Sequence, residues 1–346
     1  MPNRDTAEVR AVTLVDIPLV RRLSETGIVL DSELIYTQNG SHNSRLFTLF
    51  LPSRGIHTMV ARAEKRQIVG QFRMRPDVTF ANIAYVAPAL EEGENDTLWL
   101  YILDAMAAEA GKKGAHMLTA EVEESAALFK TLRVASYAIY ARQEIWRMLP
   151  EEQTFDASGA EIEVTETTEA DLQGIHLLYG NIVPRLVQQI THLPGEGEGY
   201  VYRKDERVEG YVGVAVGKIG VYLTPHLHPD VFSEAPDIIR AVMRRVAPSH
   251  KLPVYVRVRR YQDWLDDVLV DLGFELCARQ AVMVKHIAAG VRSAAYTPLS
   301  QVLESVPSPA QPPPSGIDRS IQDFTEGFRQ KDSGEAVPCP TIRQPE

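Results

Sequence analysis

The chain reads as an α/β protein of mixed sheets (α+β in its local order), built as two tandem units and closed by a disordered tail. Three observations carry this. A set of residues occurs twice at one offset of about 137 positions. Both occurrences sit in the same order of strand-like and helix-like segments. Beyond Arg292 the composition turns to proline and polar side chains.

The repeated residues are spread over strands and helices alike. Tyr85 and Pro88 recur as Tyr222 and Pro225, and Ile102, Met106 and Ala110 as Ile239, Met243 and Ala247. Leu128 and Leu132 recur as Leu265 and Leu269, and the run Ala141-Arg142-Gln143 as Ala278-Arg279-Gln280. A fixed period of domain size implies duplication of a whole unit rather than a solenoid. Two units of one fold, packed against each other in one chain, are the expectation, with strand four in the same register as the rest.

Each element has its own signal. Val9 to Val12 form a short strand, and Thr13, Asp16, Ile17 and Pro18 open a helix; proline early in a helix is tolerated because its missing N–H has no partner there. Ile162, Val164, Thr168, Asp171 and Leu172 repeat that opening. Charged turns at Glu64-Lys65-Arg66 and Lys204-Asp205-Glu206-Arg207 separate alternating runs, 57–63 from 67–74 and 200–203 from 208–216, which are hairpin signals. Fourth strands follow at 82–87 and 219–224, each expected to stop at its proline, which cannot donate to a ladder. A helix from about Thr97 takes Asp96 as its N-cap and ends near Gly111 or Gly114; its counterpart runs from Pro236 to Pro248. Fifth strands lie at 116–122 and 254–258. Helices carrying the paired leucines and strands through Ala-Arg-Gln complete the units.

The units are assigned to 1–150 and 160–290, joined by the polar linker Pro150 to Ala160, with 291–346 as the tail. Too little apolar area is available in the tail to offset its ordering entropy. Phe324 and Phe328 could give that tail a protein partner. A net charge of -10 argues against nucleic acid, which needs a basic surface. No apolar run nears the roughly 20 residues of a membrane span. The N-terminal residues lack a signal-peptide pattern, and two cysteines make neither a disulfide framework nor a zinc site. A cytoplasmic protein is the expectation.

The order β-α-hairpin-β-α-β-α-β resembles the GNAT superfamily of acyl-CoA-dependent N-acyltransferases. The resemblance is carried late in each unit, by Glu109 to Ala115 leading into strand five, by Ser136-Tyr137 before Tyr140-Ala141-Arg142, and by Asp271-Leu272-Gly273-Phe274-Glu275 before Cys277-Ala278-Arg279. Gly273-Phe274 matches the pair that commonly follows the last helix in that family. The resemblance implies a split between strands four and five that holds the pantetheine of coenzyme A, and a glycine-rich turn that cradles the pyrophosphate at a helix N-terminus. It places an acyl-CoA, acetyl-CoA or another, against Tyr85, Val86 and Ala87, with phosphates near Gly93, Asn95, Asp96 and Thr97. The chain departs from the family pattern there. Glu91, Glu92, Glu94 and Asp96 stand where the family has glycines and an arginine, and the second turn, His228 to Ser233, has no glycine and includes Pro229.

The family's acid, a tyrosine four residues before Gly-Phe, is replaced by Leu132 and Leu269. Tyr85 and Tyr222 are the substitutes, and Glu121 and Glu123 the candidate bases, since amine acylation needs a deprotonated amine and a protonated leaving thiolate. His226, His228 and Asp230 read as a surface loop rather than a metal site, and no metal is expected. Tyr255 with Arg257, Arg259 and Arg260 reads as a solvent-facing edge or a contact for the 3′-phosphate. Pro194 to Gly199 reads as a flexible loop without the lysine of a phosphate loop. The function implied is N-acyltransfer from an acyl-CoA to a small-molecule or peptide amine, with Tyr85 and Glu121 as catalytic groups. The alternative is a non-catalytic tandem GNAT-like protein that binds a metabolite or protein.

Overall fold

The computed structural model describes residues 8–24, 26–37, 55–63, 66–153, 162–192, 194–195 and 198–287. Residues from 288 onward, including Phe324 and Phe328, and most of the 150–160 linker lie outside this range. Alternating apolar residues make the strands, and helices with one apolar stripe cover them. The N-terminal half holds β1 (Glu8–Ala11), α1 (Ile17–Ser24), β2 (Ile28–Val29), α2 (Ser32–Thr37), β3 (Ile56–Ala63), β4 (Arg66–Arg73), β5 (Phe80–Ala87), α3 (Thr97–Lys112), β6 (Met117–Glu123), α4 (Ala127–Val134) and β7 (Ala138–Met148). The C-terminal half holds β8 (Thr165–Glu166), α5 (Leu172–Ile182), α6 (Arg185–Gln188), β9 (Gly199–Lys204), β10 (Arg207–Val216), β11 (Val221–Leu227), α7 (Ala235–His250), β12 (Val254–Arg259), α8 (Leu265–Asp271) and β13 (Glu275–His286).

One 13-stranded sheet runs through both halves in the order β1-β3-β4-β5-β6-β13-β7-β12-β11-β10-β9-β8, with β2 against β5. The last strands are exchanged. β13 pairs with β6 of the N-terminal half, and β7 pairs with β12 of the C-terminal half. The cores follow the strands. Ala281 and Met283 of β13 pack with Ile102, Met106, Leu128 and Leu132. Trp146 and Met148 of β7 pack with Ile239, Met243, Leu265 and Leu269. These repeated leucines and isoleucines are at most 1% exposed, so truncating any one to alanine would cost about 2–5 kcal/mol. The proposed sequence domains, 1–150 and 160–290, therefore each complete the other's core.

β7 and β13 meet antiparallel, with Gln143 opposite Gln280, Glu144 opposite Arg279 and Arg142 opposite Ala281. Gln143 thus faces its own repeat counterpart, and a local twofold axis through that pair relates Arg142–Ala281 to Arg279–Glu144. Both glutamines are buried. Gln143 Nε2 donates to Gln280 Oε1 at 3.0 Å and to Ser32 Oγ at 3.1 Å, and Ser32 Oγ donates to Gln280 Oε1 at 2.6 Å.

From α3 onward the 137-residue offset holds in space, but strand four departs from it. Phe80 lies opposite Met117, whereas Val254, the counterpart of Met117, lies opposite Val221. Val221 is four positions further on than the expected counterpart of Phe80. The matches of Tyr85 with Tyr222 and of Pro88 with Pro225 are therefore coincidences of sequence. A shorter connection before α7 absorbs the difference. β11 also continues past Pro225 to Leu227. Pro225's carbonyl points into a gap beside β12 where no strand requires its missing N–H. Likewise α7 extends beyond Pro248 to His250. At the start of α3, Asp96 makes no cap bond; Asn95 Oδ1 accepts the Thr97 N–H at 2.9 Å instead. Gly114, at φ +96°, ends that helix, and the Ala115 N–H returns to the Ala110 carbonyl at 3.0 Å.

A second signature of duplication lies outside the fixed offset. Thr13 and Asp16 cap α1 just as Thr168 and Asp171 cap α5, each aspartate accepting from its threonine's backbone and hydroxyl. Asp16 also binds Arg10 and Arg62, each at 2.6 Å, and Asp171 binds Arg203 of β9. The Arg10 hydrogen bonds outweigh the opposite effect of burial and hold the Asp16 carboxyl well below the usual range.

Asp16 is fully buried, while Arg10 and Arg62 keep 31% and 37% of their side chains exposed. Asp16→Ala should therefore cost about 3 kcal/mol, the low end for breaking a buried pair. Because the folded-state pKa is depressed, the Asp16 contribution is full above its unfolded value near 4 and is lost as pH falls below it. Urea denaturation at pH 7 and pH 3 should show the variant's deficit shrinking in acid. Ser136 takes φ +67° where the second half has Gly273 at +90°. Ser136→Gly should relieve that backbone strain and raise stability by about 1 kcal/mol, measurable as a higher urea midpoint.

Candidate functional site

In each half the two parallel strands pair for only three residues and then diverge. β5 and β6 pair from Phe80–Met117 to Asn82–Thr119, and β11 and β12 from Val221–Val254 to Leu223–Val256. Such a split leaves backbone donors and acceptors on its inner edges that require partners.

The chain supplies those partners itself. In the N-terminal half, β2 lies along the inner edge of β5, with Ile28 opposite Val86 and Val29 opposite Tyr85. The Leu30 N–H donates to the Ala84 carbonyl at 3.0 Å, and the Leu30 carbonyl accepts the Glu121 N–H at 2.9 Å. In the C-terminal half a side chain makes the same bridge. Gln262 Nε2 donates to the Pro225 carbonyl at 2.7 Å, and Gln262 Oε1 accepts the Arg259 N–H at 3.4 Å. One residue spans each split, Leu30 through its backbone N–H and carbonyl and Gln262 through its side-chain amide.

This arrangement separates the residues singled out in the sequence. Tyr85 is buried, its hydroxyl donating to the Leu23 carbonyl at 3.2 Å, and its ring lies so close to Gly27 that a Cβ there would sit 2.2 Å away. Val86 and Ala87 are buried, and β2 occupies their edge of the strand at Tyr85 and Val86. Gly93, Asn95, Asp96 and Thr97 form the turn into α3. Glu92 pairs with Lys130, Glu94 with Arg66, and Asp96 accepts from the Thr131 hydroxyl at 3.0 Å. The acidic turn satisfies itself with neighbours and solvent. In the other half, the amide N–H of Asp230 is bound by His228 Nδ1 and that of Val231 by the His228 carbonyl. Neither split nor either turn, as they stand, fits a coenzyme A pantetheine and pyrophosphate.

Of the catalytic candidates, Glu121 and Tyr222 line one cavity, and Tyr85 and Glu123 do not line it. This cavity, about 490 Å³, lies between the halves, on the sheet face that α3 and α7 leave uncovered. One wall comes from the N-terminal half, with Asp31, Glu33 and Glu121; the other from β10, β11 and β12, with Tyr211, Tyr222, His226, Arg257 and Arg259. Strand alternation explains the second wall. Val254, Val256 and Val258 point into the core beneath α7, so Tyr255, Arg257 and Arg259 point to the opposite face. The expected solvent-facing strip is thus interior at Arg257 and Arg259, and only Arg260 is exposed. His226, expected on a surface loop, is 5% exposed within β11. Periodicity marked these residues as off the core face. That a second half covers this face was not in the local pattern.

The cavity's charges are arranged in opposition. Four carboxylates (Asp31, Glu33, Glu121, Glu198) and four guanidinium groups (Arg73, Arg75, Arg257, Arg259) line it. Arg73 pairs with Asp31 and Arg75 with Asp77, and Glu121 Oε2 accepts the Ser32 N–H at 2.8 Å. Arg259 is 3% exposed, and its Nε and Nη1 have no hydrogen-bond partner. Burial, then the neighbouring cation Arg257, lower its pKa, against the opposite pull of Tyr261, Glu121 and Tyr179. Arg257 is enclosed by protein yet keeps some accessible surface, which opens onto the cavity. The Tyr222 hydroxyl is buried without a partner, and burial raises it far above the ordinary value. Across the cavity, burial and then Asp31 raise Glu33. Leaving buried charges unpaired is costly.

His226 stands among these groups as a neutral imidazole. Nδ1 lies 3.1 Å from the Thr224 carbonyl and donates to it, which leaves Nε2 with its lone pair. Tyr179 and Tyr211 flank the ring at centroid distances of 5.5 and 6.1 Å. Burial, then Arg257 and Arg259, push its pKa down to about 3. Among the described residues no group of three or more His, Cys, Asp or Glu could hold a metal ion, and no helix is long and apolar enough to cross a membrane.

No family model and no curated protein sequence matches the chain. Solved structures do. A tandem GNAT protein from the clavulanic acid biosynthesis pathway superposes with TM-score 0.51 over 82% of this chain and 99% of its own, at 13% identity. A GCN5-related N-acetyltransferase from Sphaerobacter thermophilus gives TM-score 0.51 over 83% and 97%, at 11% identity. The chain has the tandem GNAT fold.

His226 should remain neutral in imidazole NMR spectra from pH 8 to pH 5, and Arg257→Met should move its titration upward toward the ordinary value near 6.5. Because the folded-state value is depressed, the unfolded chain takes up a proton below pH 6.5 that the folded chain refuses. His226 therefore makes stability fall as pH drops through this range.

Proposed function

We propose that this protein uses the tandem GNAT fold to bind a small molecule in the cavity between its halves. The observation that carries this reading is the bridging of both strand splits by the chain's own backbone and side-chain amides, while a charged cavity stands beside them. Glycine-rich phosphate cradles are absent from the two turns, and their amides or carboxylates already have local partners. The lining supplies what a specific pocket needs, apolar walls with a few converging polar groups. In this reading 1–150 and 160–290 are two GNAT-like domains of common origin that jointly build one binding site.

Acyl transfer from an acyl-CoA to an amine is the second reading, and one observation favours it. The bridge in the C-terminal half is a side chain, Gln262, rather than a backbone segment, so a rotamer change alone would clear that split. The neutral Nε2 of His226 and the carboxylate of Glu121 would then be bases on the adjoining cavity, and the acceptor would be a small-molecule amine. A carboxylate or neutral imidazole near an ammonium is the chemistry such a transfer requires.

Calorimetric titration of acetyl-CoA into the intact protein separates the two. The binding reading expects no saturable heat with the wild-type chain. Saturable binding, with coenzyme A thiol released when amines are added, would replace it with the acyltransferase reading. Saturable binding gained only in Gln262→Ala would identify that side chain as what closes the C-terminal split in the native protein.

A further inference from the structure

The binding reading leaves open what the cavity holds, and its walls constrain the answer. On one wall Arg257 and Arg259 point inward from adjacent same-face positions of β12, with Nε and Nη1 of Arg259 unbound and 3% of the residue exposed. The Tyr222 hydroxyl, also unbound, lines the same cavity from the neighbouring strand. A guanidinium presents a planar fork of N–H donors that matches a carboxylate. On the other wall Glu33 and Glu121 offer carboxylate oxygens, and neither makes an ion pair with Arg257 or Arg259. Glu121 acts on both arginines, and Glu33 on Arg257, through the field across the cavity rather than by direct contact. A ligand that reaches across would complete both.

We infer that the cavity takes a small zwitterion, its carboxylate held by Arg257 and Arg259 and its ammonium by Glu33 and Glu121. This rests on the reading of the cavity as the ligand site. Among the described residues the lining carries equal numbers of carboxylates and arginines, so a ligand without net charge suits it. A phosphate dianion would satisfy the arginines but face the carboxylates opposite. A simple amine would leave Arg259 unpaired in a buried site. The volume of about 490 Å³ suits a molecule of amino-acid or dipeptide size. Tyr211, Tyr222 and Phe80 give it apolar walls between the charged ends.

The unpaired arginines also predict an unusual pair of effects. Without ligand, an uncompensated buried guanidinium is a liability, so Arg259→Met should leave the melting temperature of the ligand-free protein unchanged or raise it. The same substitution should abolish zwitterion binding. A purely structural arginine would do the reverse and lower that melting temperature.

The test is thermal-shift screening of the intact protein, without acetyl-CoA, against each standard amino acid at millimolar concentration. Calorimetry then follows on any that stabilises it, on the matching decarboxylated amine and on the matching deaminated acid. At least one amino acid should raise the melting temperature, and loss of either charged group should weaken binding by roughly ten- to hundredfold. Glu33→Gln should weaken the amino acid but not the deaminated acid. Equal binding of a singly charged analogue overturns the zwitterion and keeps the cavity as a site. No response to amino acids, amines or acids overturns the cavity reading along with it. A fall in ligand-free stability with Arg259→Met assigns that side chain a structural role and also overturns the inference. Acyl transfer has no part in these measurements, so their outcome is separate from the acetyl-CoA titration.

Discussion

The exchange of last strands is the constraint on which the rest of the molecule depends. β13 completes the sheet and core of the first half, and β7 completes those of the second. Burying a large apolar side chain contributes about 1.5–3 kcal/mol, and Met283, Trp146 and Met148 contribute burial on that scale to a half to which they do not belong in sequence. The two strands must then run side by side, and their register sets the local twofold axis at Gln143 and Gln280. With the axis fixed, the uncovered faces of the two halves meet at one place. The cavity is a consequence of that meeting.

The hydrogen-bonded cluster on the axis shows how a duplicated pair diverges. Gln143 and Gln280 occupy equivalent positions, yet a symmetric pair of amides cannot satisfy all its donors and acceptors by bonding only to itself. Ser32 of α2 breaks the tie by bonding both. It enters from one half only, and Gln143 Oε1 remains without a partner. The strand splits diverged in a related manner. Both are spanned by a single residue, one through the backbone N–H and carbonyl of Leu30 and the other through the side-chain amide of Gln262. A backbone bridge with a β2 strand behind it is part of the sheet. A side-chain bridge depends on one rotamer.

Much of the architecture was legible because it is local. The hairpins of β3 with β4 and of β9 with β10, the helix carrying Ile102 and Met106, its copy carrying Ile239 and Met243, and the strand through Ala-Arg-Gln all appear where periodicity places them. Strand four was misaligned by four residues because two chance identities, Tyr85 with Tyr222 and Pro88 with Pro225, outweighed a length difference in the following connection. Only the pairing of Phe80 with Met117 and of Val221 with Val254 exposes that slip. Asp16, Asp171 and their arginines were partly visible as helix caps. Their partners on the β3 and β9 strands were not, since those bonds join residues far apart in the chain.

The site divides the same way. Sequence by itself determined that Arg257 and Arg259 share one face of a strand and that the usual glycines of a phosphate turn are missing. Each follows from alternation, spacing or residue type, which are properties of a short segment. Only the tertiary structure decided that the arginine face is interior, that β2 and Gln262 close the splits, and that Glu121 comes to share a cavity with both arginines. Those facts depend on which surface covers which. That was settled by the exchanged strands, through contacts between segments whose local sequence carries no record of each other.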